Sequence, residues 1–220
     1  MPELVTPKDS DWDHFWQKDK AKEASDVSWS KRRILKVIAP YVDPGKKALD
    51  AGCGSGFFSK YFIENGMATT AVDFSQGALD STRQKTGNRA RLQKAELLKD
   101  DLSKVLSGWF DVIFSDGLFE HFSPLEQDKI LNNLRSVLNE NGVIITFVPN
   151  CLSPWELIRP LYMPGIDEKP FTLKQLIDLS TRNHLEVIAH GGVNTLPFSV
   201  SPEGKIAEYF GMLLYTISKE

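Results

Sequence analysis

Residues 48–59, ALDAGCGSGFFS, set an acid and three alternating glycines between an apolar run and a helical pattern. Ala48 and Leu49 end the apolar run, Asp50 stands where the strand gives out, and Gly52, Gly54 and Gly56 follow at every second position. Glycines so spaced let the backbone turn sharply through positive φ and let a ligand lie against bare main chain. The next apolar run, TTAVD, ends at Asp73. A carboxylate there can accept hydrogen bonds from both hydroxyls of a ribose. Strand, tight turn, helix and distal acid are together the parts of a site for an adenosine-containing molecule.

These residues need a scaffold, and the pattern along the chain supplies one. In FFSKYFIENG, Phe58, Tyr61 and Phe62 recur at helical spacing and Gly66 closes the segment as a C-terminal cap. ARLQKAELL, residues 90–98, reads as a third strand ending at Glu96, and FDVIFSDGLFEHF, residues 110–122, as a fourth strand (Phe110 to Ser115), a turn and a Glu120–His121 pair. Residues 124–140 form an amphipathic helix with Ile130, Leu131, Leu134 and Leu138 on one face, closed by Asn141-Gly142, and GVIITFVPN is a fifth strand ended by Pro149. Upstream, residues 27–41 read as a helix that enters the first strand through Asp43-Pro44-Gly45, and Trp12, Phe15 and Trp16 share a helical face ahead of it. Downstream, residues 150–171 carry four prolines and are too long for an ordinary connection, so they form a lid or an ordered insertion. A helix beginning at Thr172, a strand LEVIA and a final strand in GMLLYTISKE complete the chain.

Composition sets limits. At 220 residues the chain can bury the core of one α/β domain. A net charge of −3, with both signs spread along the chain, leaves no basic face and argues against nucleic acid as a partner. No apolar stretch is long enough to span a membrane, and MPELVTPKDSDWDHFW is unlike a signal or transit peptide, so a cytoplasmic protein is expected. Cys53 and Cys151 are the only cysteines and lack metal-ligand spacing, so neither a disulfide framework nor a metal site is expected.

The spacing of the glycines narrows the chemistry. A dinucleotide site uses G-x-G-x-x-G to clear room for a pyrophosphate, whereas this turn reads G-x-G-x-G after an acid. Asp50 would repel a pyrophosphate and attract a cation such as the ammonium of an amino acid. S-adenosylmethionine joins an adenosine to such a tail. From residue 46 to 149 the chain resembles the class I S-adenosylmethionine-dependent methyltransferases, in particular the small-molecule, ubiquinone-biosynthesis-like group.

The resemblance implies an α/β, Rossmann-like, doubly wound fold: a mostly parallel seven-stranded sheet whose antiparallel C-terminal strand lies between the fifth and sixth. It implies one domain over residues 1–220, made of an N-terminal helical cap (1–44), a cofactor-binding half (45–149), a lid or insertion (150–171) and a C-terminal helix with strands (172–220). It implies S-adenosylmethionine as cofactor, with Asp50, Gly52, Cys53, Gly54 and Gly56 around the methionine moiety and Asp73 with Phe74 at the ribose. The carboxylate of Glu96 and the amide of Leu97 would take the adenine, and Ser115, Asp116 and Gly117 would bind the cofactor under its methionine moiety, where the strand ends and the site opens toward the acceptor. Glu96 stands where the family more often has Asp.

The acceptor side is thinner. His121 is the candidate catalytic base, since its ordinary pKa of about 6.5 suits proton removal near neutral pH; packed between Phe119 and Phe122, it could equally be structural. Trp16, Trp155, Arg159 and Tyr162 are candidate substrate residues, Arg159 as a ligand for a carboxylate, and the same residues could simply pack on the core. The expected partner is a small-molecule methyl acceptor, and the expected assembly a monomer or homodimer. A methyltransferase-fold protein that binds cofactor or a partner protein without catalysis is the alternative, and a dehydrogenase is disfavoured by the glycine spacing.

Overall fold

The structure is a computed structural model and describes residues 28–157, 168–196 and 198–220. The helical face of Trp12, Phe15 and Trp16 and the candidate residues Arg159 and Tyr162 lie outside the described residues.

The apolar runs become seven strands: β1 (Lys47–Ala51), β2 (Ala68–Asp73), β3 (Arg91–Lys94), β4 (Phe110–Asp116), β5 (Leu138–Pro149), β6 (Glu186–Val193) and β7 (Leu213–Lys219). They form one sheet in the order β3-β2-β1-β4-β5-β7-β6. β1 pairs in parallel with β2 and β4, as do β2 with β3 and β4 with β5; β7 runs antiparallel to both β5 and β6. The sheet is thus mostly parallel with an antiparallel strand wedged between the fifth and sixth.

Helices cover both faces, as strands that are apolar on both sides require. On one face lie α1 (Trp29–Ile38), α2 (Phe57–Glu64) and α3 (Gln76–Thr86); on the other, α4 (Leu102–Val105), α5 (Pro124–Arg135) and α6 (Leu173–Arg182). The side-chain alternation of a strand sorts the core between them. Ala48, Val112, Phe114, Ile145 and Phe147 meet Ile34, Ile38, Phe58 and Phe62 of α1 and α2. Leu49, Ile113, Ile144 and Val148 meet Ile130, Leu131 and Leu134 of α5 and Leu176 and Leu179 of α6.

Local chemistry sets the ends of these helices. Ser28 caps α1, its hydroxyl accepting from Lys31 N–H at 3.2 Å. Ser123 and Glu126 form a capping box at the start of α5, and Thr172 with Gln175 forms another at α6. Beyond α2, Gly66 takes φ +82° while Gly66 N–H and Met67 N–H bond the carbonyls of Ile63 and Phe62, both at 3.0 Å, which is a Schellman end.

Two boundaries differ from the sequence reading. The helix expected over 124–140 ends at Arg135, because the Val137 carbonyl accepts from Phe110 N–H at 2.8 Å and Leu138 joins the sheet opposite Phe110. Leu138 continues the helical spacing of Leu134, which is why periodicity alone extends the helix too far. The third strand stops at Lys94, so Glu96 lies in the turn after it, its carbonyl accepting from Lys99 and Asp100. A short helix, α7 (Lys205–Phe210), between β6 and β7 was not anticipated.

Helix α1 is tied to the loop that follows β6. Buried Arg33 donates to Asn194 Oδ1 at 3.2 Å, to the Leu196 carbonyl at 2.8 Å and to the Phe198 carbonyl, and meets Glu203 Oε1 at 3.1 Å. Asn194 in turn donates to Ser30 Oγ at 2.8 Å, and its amide reaches Glu203 Oε2 at 2.9 Å.

Candidate functional site

Parallel pairing in register brings the carboxyl ends of β1, β2 and β4 to one edge of the sheet, and with them Asp50, Asp73 and Asp116. The glycine turn begins there. Gly52 N–H and Cys53 N–H both donate to the Val72 carbonyl, at 2.8 and 3.1 Å, which bolts the turn to the neighbouring strand. Gly52, Gly54 and Gly56 all take positive φ, at +74°, +48° and +74°. Gly56 caps α2 and also faces α3: a Cβ there would fall 2.6 Å from Thr82 Cα and 2.7 Å from its hydroxyl. Backbone conformation and space both forbid a side chain, so Gly56→Ala is expected to lower stability by about 2–3 kcal/mol, read as a shift in urea midpoint without a change in slope.

Each acid has its own setting. Asp73 is held by two backbone amides, accepting from Gly54 N–H at 3.0 Å and Ser75 N–H at 2.9 Å. One oxygen of Asp73 therefore fixes the glycine turn and the other fixes the start of α3. Asp50 is 2% exposed and accepts from the Ser59 hydroxyl at 2.5 Å. Burial pushes its pKa up to about 7, the Ser59 bonds oppose the rise, and the charges of Asp73 and Asp116 add to it. Asp116 is pushed up to about 6, again by desolvation, with the positive charge of Lys31 pulling it back. Nearby Cys53 is buried beneath the turn, where Thr82 Oγ1 lies 3.3 Å from its sulfur and desolvation holds the thiol well above its ordinary pKa. Such a thiol packs and does not attack.

The other sequence candidates spread around this edge. Ser115 is buried, its hydroxyl 3.4 Å from that of Thr146, and Gly117 is exposed with φ +73°. Phe74 is half-buried and Leu97 buried; the Glu96 side chain is 45% exposed and pairs with Lys99 at 2.6 Å. His121 is 6% exposed in the turn after β4, beside buried Glu120. Glu168 joins them, carried in by a segment whose Lys169 N–H donates to the Glu120 carbonyl at 2.9 Å. Donor atoms of Glu120, His121 and Glu168 lie within 4.8 Å of one another, and among the described residues this trio could hold a metal ion. Trp155 sits in a 3-10 turn (Pro154–Leu157), and its indole N–H donates to the Thr195 carbonyl at 3.3 Å.

Sequence reading missed Ser59, Ser75, Thr82 and Glu168. Ser59 and Thr82 are fully buried hydroxyls on otherwise apolar helix faces, a signal visible beside Phe58 and Phe62 and beside Ala78 and Leu79. Glu168 carries no local signal, since only the tertiary path of its segment brings it to His121.

A sheet of this order, with an antiparallel β7 between β5 and β6 and a glycine turn after β1, defines the class I methyltransferase fold. Residues 48–142 match the family model described as a methyltransferase domain. A malonyl-[acyl-carrier protein] O-methyltransferase from Serratia marcescens is 50% identical over 104 residues, 46% of this chain and 38% of that protein. Its namesake from Legionella pneumophila is 30% identical over 128 residues, 56% of this chain and 41% of that protein. The matched regions thus span less than half the length of these relatives. Among solved structures, a putative methyltransferase from Haloferax volcanii, in complex with the Trm112 methyltransferase activator, superposes with a TM-score of 0.71 at 16% identity, covering 96% of each chain. An S-adenosylmethionine-dependent methyltransferase from Archaeoglobus fulgidus gives 0.70 at 18% identity, over 94% of this chain and 99% of that one. At such identities these two establish the fold. No helix among the described residues is long and apolar enough to cross a membrane.

Proposed function

We propose that the protein is an S-adenosylmethionine-dependent methyltransferase that transfers a methyl group, by direct displacement, to an O, N, S or C atom of a small molecule. The observation that carries this reading is the meeting of Asp50, Asp73 and Asp116 around a glycine turn whose bare main chain is locked to β2. The residues fit the cofactor: acids for its ammonium and ribose, and no side chain where the tail would lie.

When bound, the cofactor supplies a methyl group activated by its attachment to a sulfonium. Asp73, oriented by the Gly54 and Ser75 amides, would accept from the ribose hydroxyls. Asp50 would face the ammonium, with Ser59 orienting its carboxylate. Phe74 would flank the ribose, and Glu96 and the Leu97 amide would take the adenine. Cys53, Ser115 and Gly117 would form the wall behind the methionine moiety. The chain's main work is alignment, since holding two reactants in line replaces a bimolecular encounter. A site closed to water also avoids solvating the charged sulfur that the reaction neutralises.

On the acceptor side, His121 would remove a proton from an acceptor that has one to lose, and Trp155 would border the acceptor. The relatives named for malonyl-[acyl-carrier protein] act on a substrate with a carboxylate. For an acceptor of that kind, already ionised, no base is required.

Calorimetric titration with S-adenosylhomocysteine, beside an equal titration with NADH, tests the reading. Micromolar binding of the former alone is expected. Binding of NADH alone would overturn it, and binding of neither would move the weight to a non-catalytic protein built on this fold.

A further inference from the structure

We propose that Glu120, His121 and Glu168 form a binding site for a divalent metal ion beside the cofactor edge, where the ion would hold an oxygen of the methyl acceptor. The ion site stands apart from the S-adenosylmethionine reading, and its use on an acceptor rests on that reading. Cysteine spacing gives no sign of it, because the donors are carboxylate and imidazole.

The fold fixes each donor. Glu120 and His121 stand in a 3-10 turn (Phe119–His121) that follows β4. The side chain of Gln127, on α5, reaches back and donates to the carbonyls on either side of the pair, Phe119 at 3.0 Å and Phe122 at 2.9 Å. Glu168 comes from a segment stitched to the end of β5, where Phe171 N–H donates to the Pro149 carbonyl at 2.8 Å and Cys151 N–H to the Phe171 carbonyl at 2.9 Å. Lys169 N–H then ties that segment to the Glu120 carbonyl. Both halves of the site are thus held by backbone bonds, which is the preorganisation a ligand set needs.

Burial and donor chemistry point to a cation. Glu120 is 2% exposed and His121 6%, and Glu168 is half-buried. Taking two carboxylates and an imidazole out of water together is costly, and a divalent ion at their centre would neutralise both acids while leaving the ring neutral. One donor atom from each residue lies within 4.8 Å of the others. Bonds of about 2.0–2.3 Å put two ligands of one ion about 3–4.5 Å apart, so small rotations close the set. Oxygen donors with one nitrogen suit Mn²⁺, Fe²⁺ or Zn²⁺. An ion held only by this trio keeps positions open, as a site that works on a ligand must.

Position says what fills them. Oε1 of Glu120 faces Gly117, where a Cβ would fall 3.4 Å from it, and Gly117 directly follows Asp116 at the end of β4. The ion would therefore sit next to the edge that takes the methionine end of the cofactor. An acceptor drawn to it offers an oxygen, as a carboxylate or an acidic hydroxyl does, rather than a carbon centre or a protonated amine. In that state His121 is a ligand, and the ion in its place favours the ionised form of the acceptor oxygen.

The test uses the full chain, freed of metal by dialysis against a chelator and titrated with Mn²⁺ alone, then with Zn²⁺ as competitor. Electron paramagnetic resonance counts free Mn²⁺, and relaxation of water protons reports the bound ion. Wild type is expected to bind Mn²⁺ at a single site from which Zn²⁺ displaces it, and to keep strong water relaxation, the sign of open positions. Glu168→Gln and His121→Gln are each expected to weaken Mn²⁺ at least about tenfold, while thermal melts show both variants folded. Uptake of neither ion by the wild type would overturn the proposal and leave the cofactor reading intact. Mn²⁺ affinity that survives both substitutions would also overturn it, since the ion would then lie elsewhere. Bound Mn²⁺ without water relaxation would overturn the acceptor role. Mn²⁺ binding by a wild type that fails to bind S-adenosylhomocysteine would support the ion site and overturn the cofactor reading, and the acceptor role with it.

Discussion

Replacing Asp73 with alanine is expected to weaken S-adenosylhomocysteine binding by at least about a hundredfold and to cost about 2–4 kcal/mol of stability. Both effects come from one carboxylate. In the empty site it satisfies two buried amides, Gly54 N–H and Ser75 N–H, and each orphaned donor costs about 1–2 kcal/mol. In the bound state it would also accept from two ribose hydroxyls, and charge-assisted bonds of that kind are the strong ones. Ser75→Ala is the control. The Ser75 hydroxyl caps α3 by accepting from Ala78 N–H at 3.1 Å, so its loss should cost about 1 kcal/mol and leave ligand affinity within a few fold. Calorimetry and thermal melts on the two variants separate ribose binding from support of the turn. Retained affinity in a folded Asp73→Ala protein would remove Asp73 from the site.

The pH dependence should be nearly as large. Asp50 sits at about 7 in the folded protein against an ordinary 3.8, and Asp116 at about 6. Between these values the unfolded chain has given up protons that the folded chain keeps, so the empty protein loses stability as pH rises through roughly 4 to 7 and levels off above. For Asp50 the change is on the order of 4 kcal/mol. Ligand binding should run the opposite way. An ammonium facing Asp50 requires the carboxylate ionised, so below about pH 7 binding must expel a proton, and affinity should fall about tenfold per pH unit. Titration between about pH 5.5 and 8.5, in buffers of different ionisation heat, reads both the affinity and the proton released. Asp50→Asn should flatten the profile. A flat profile in the wild type would mean that Asp50 meets no cation.

The cofactor edge was legible because its signals are local. Positive φ demands glycine, a strand end demands a run of apolar residues that stops, and Asp50 and Asp73 sit where the runs stop. The sheet order followed from the resemblance, and the antiparallel β7 took its expected place beside β5. Where two patterns overlapped, the reading failed: Leu138 satisfies both the face of α5 and the start of β5, and pairing with Phe110 decides for the strand. Helix α7 stayed hidden because it is short and buries only Ala207. Groups that act through space left no trace at all. Nothing near Glu168 says that it will approach His121.

The position of β7 also bears on synthesis of the chain at the ribosome. β6 touches the rest of the sheet only through β7, and β7 pairs with β5 from Leu213 to Ser218. Until residues 213–219 have been made, the 12-residue β5 presents an open edge to other nascent chains, and β6 has no strand to join. The Arg33 anchor likewise waits for residues 194–203. The half of the molecule that carries the glycine turn can therefore assemble early, while the half that would receive the acceptor closes only when the last strand slots in, which makes β7 the keystone of the fold.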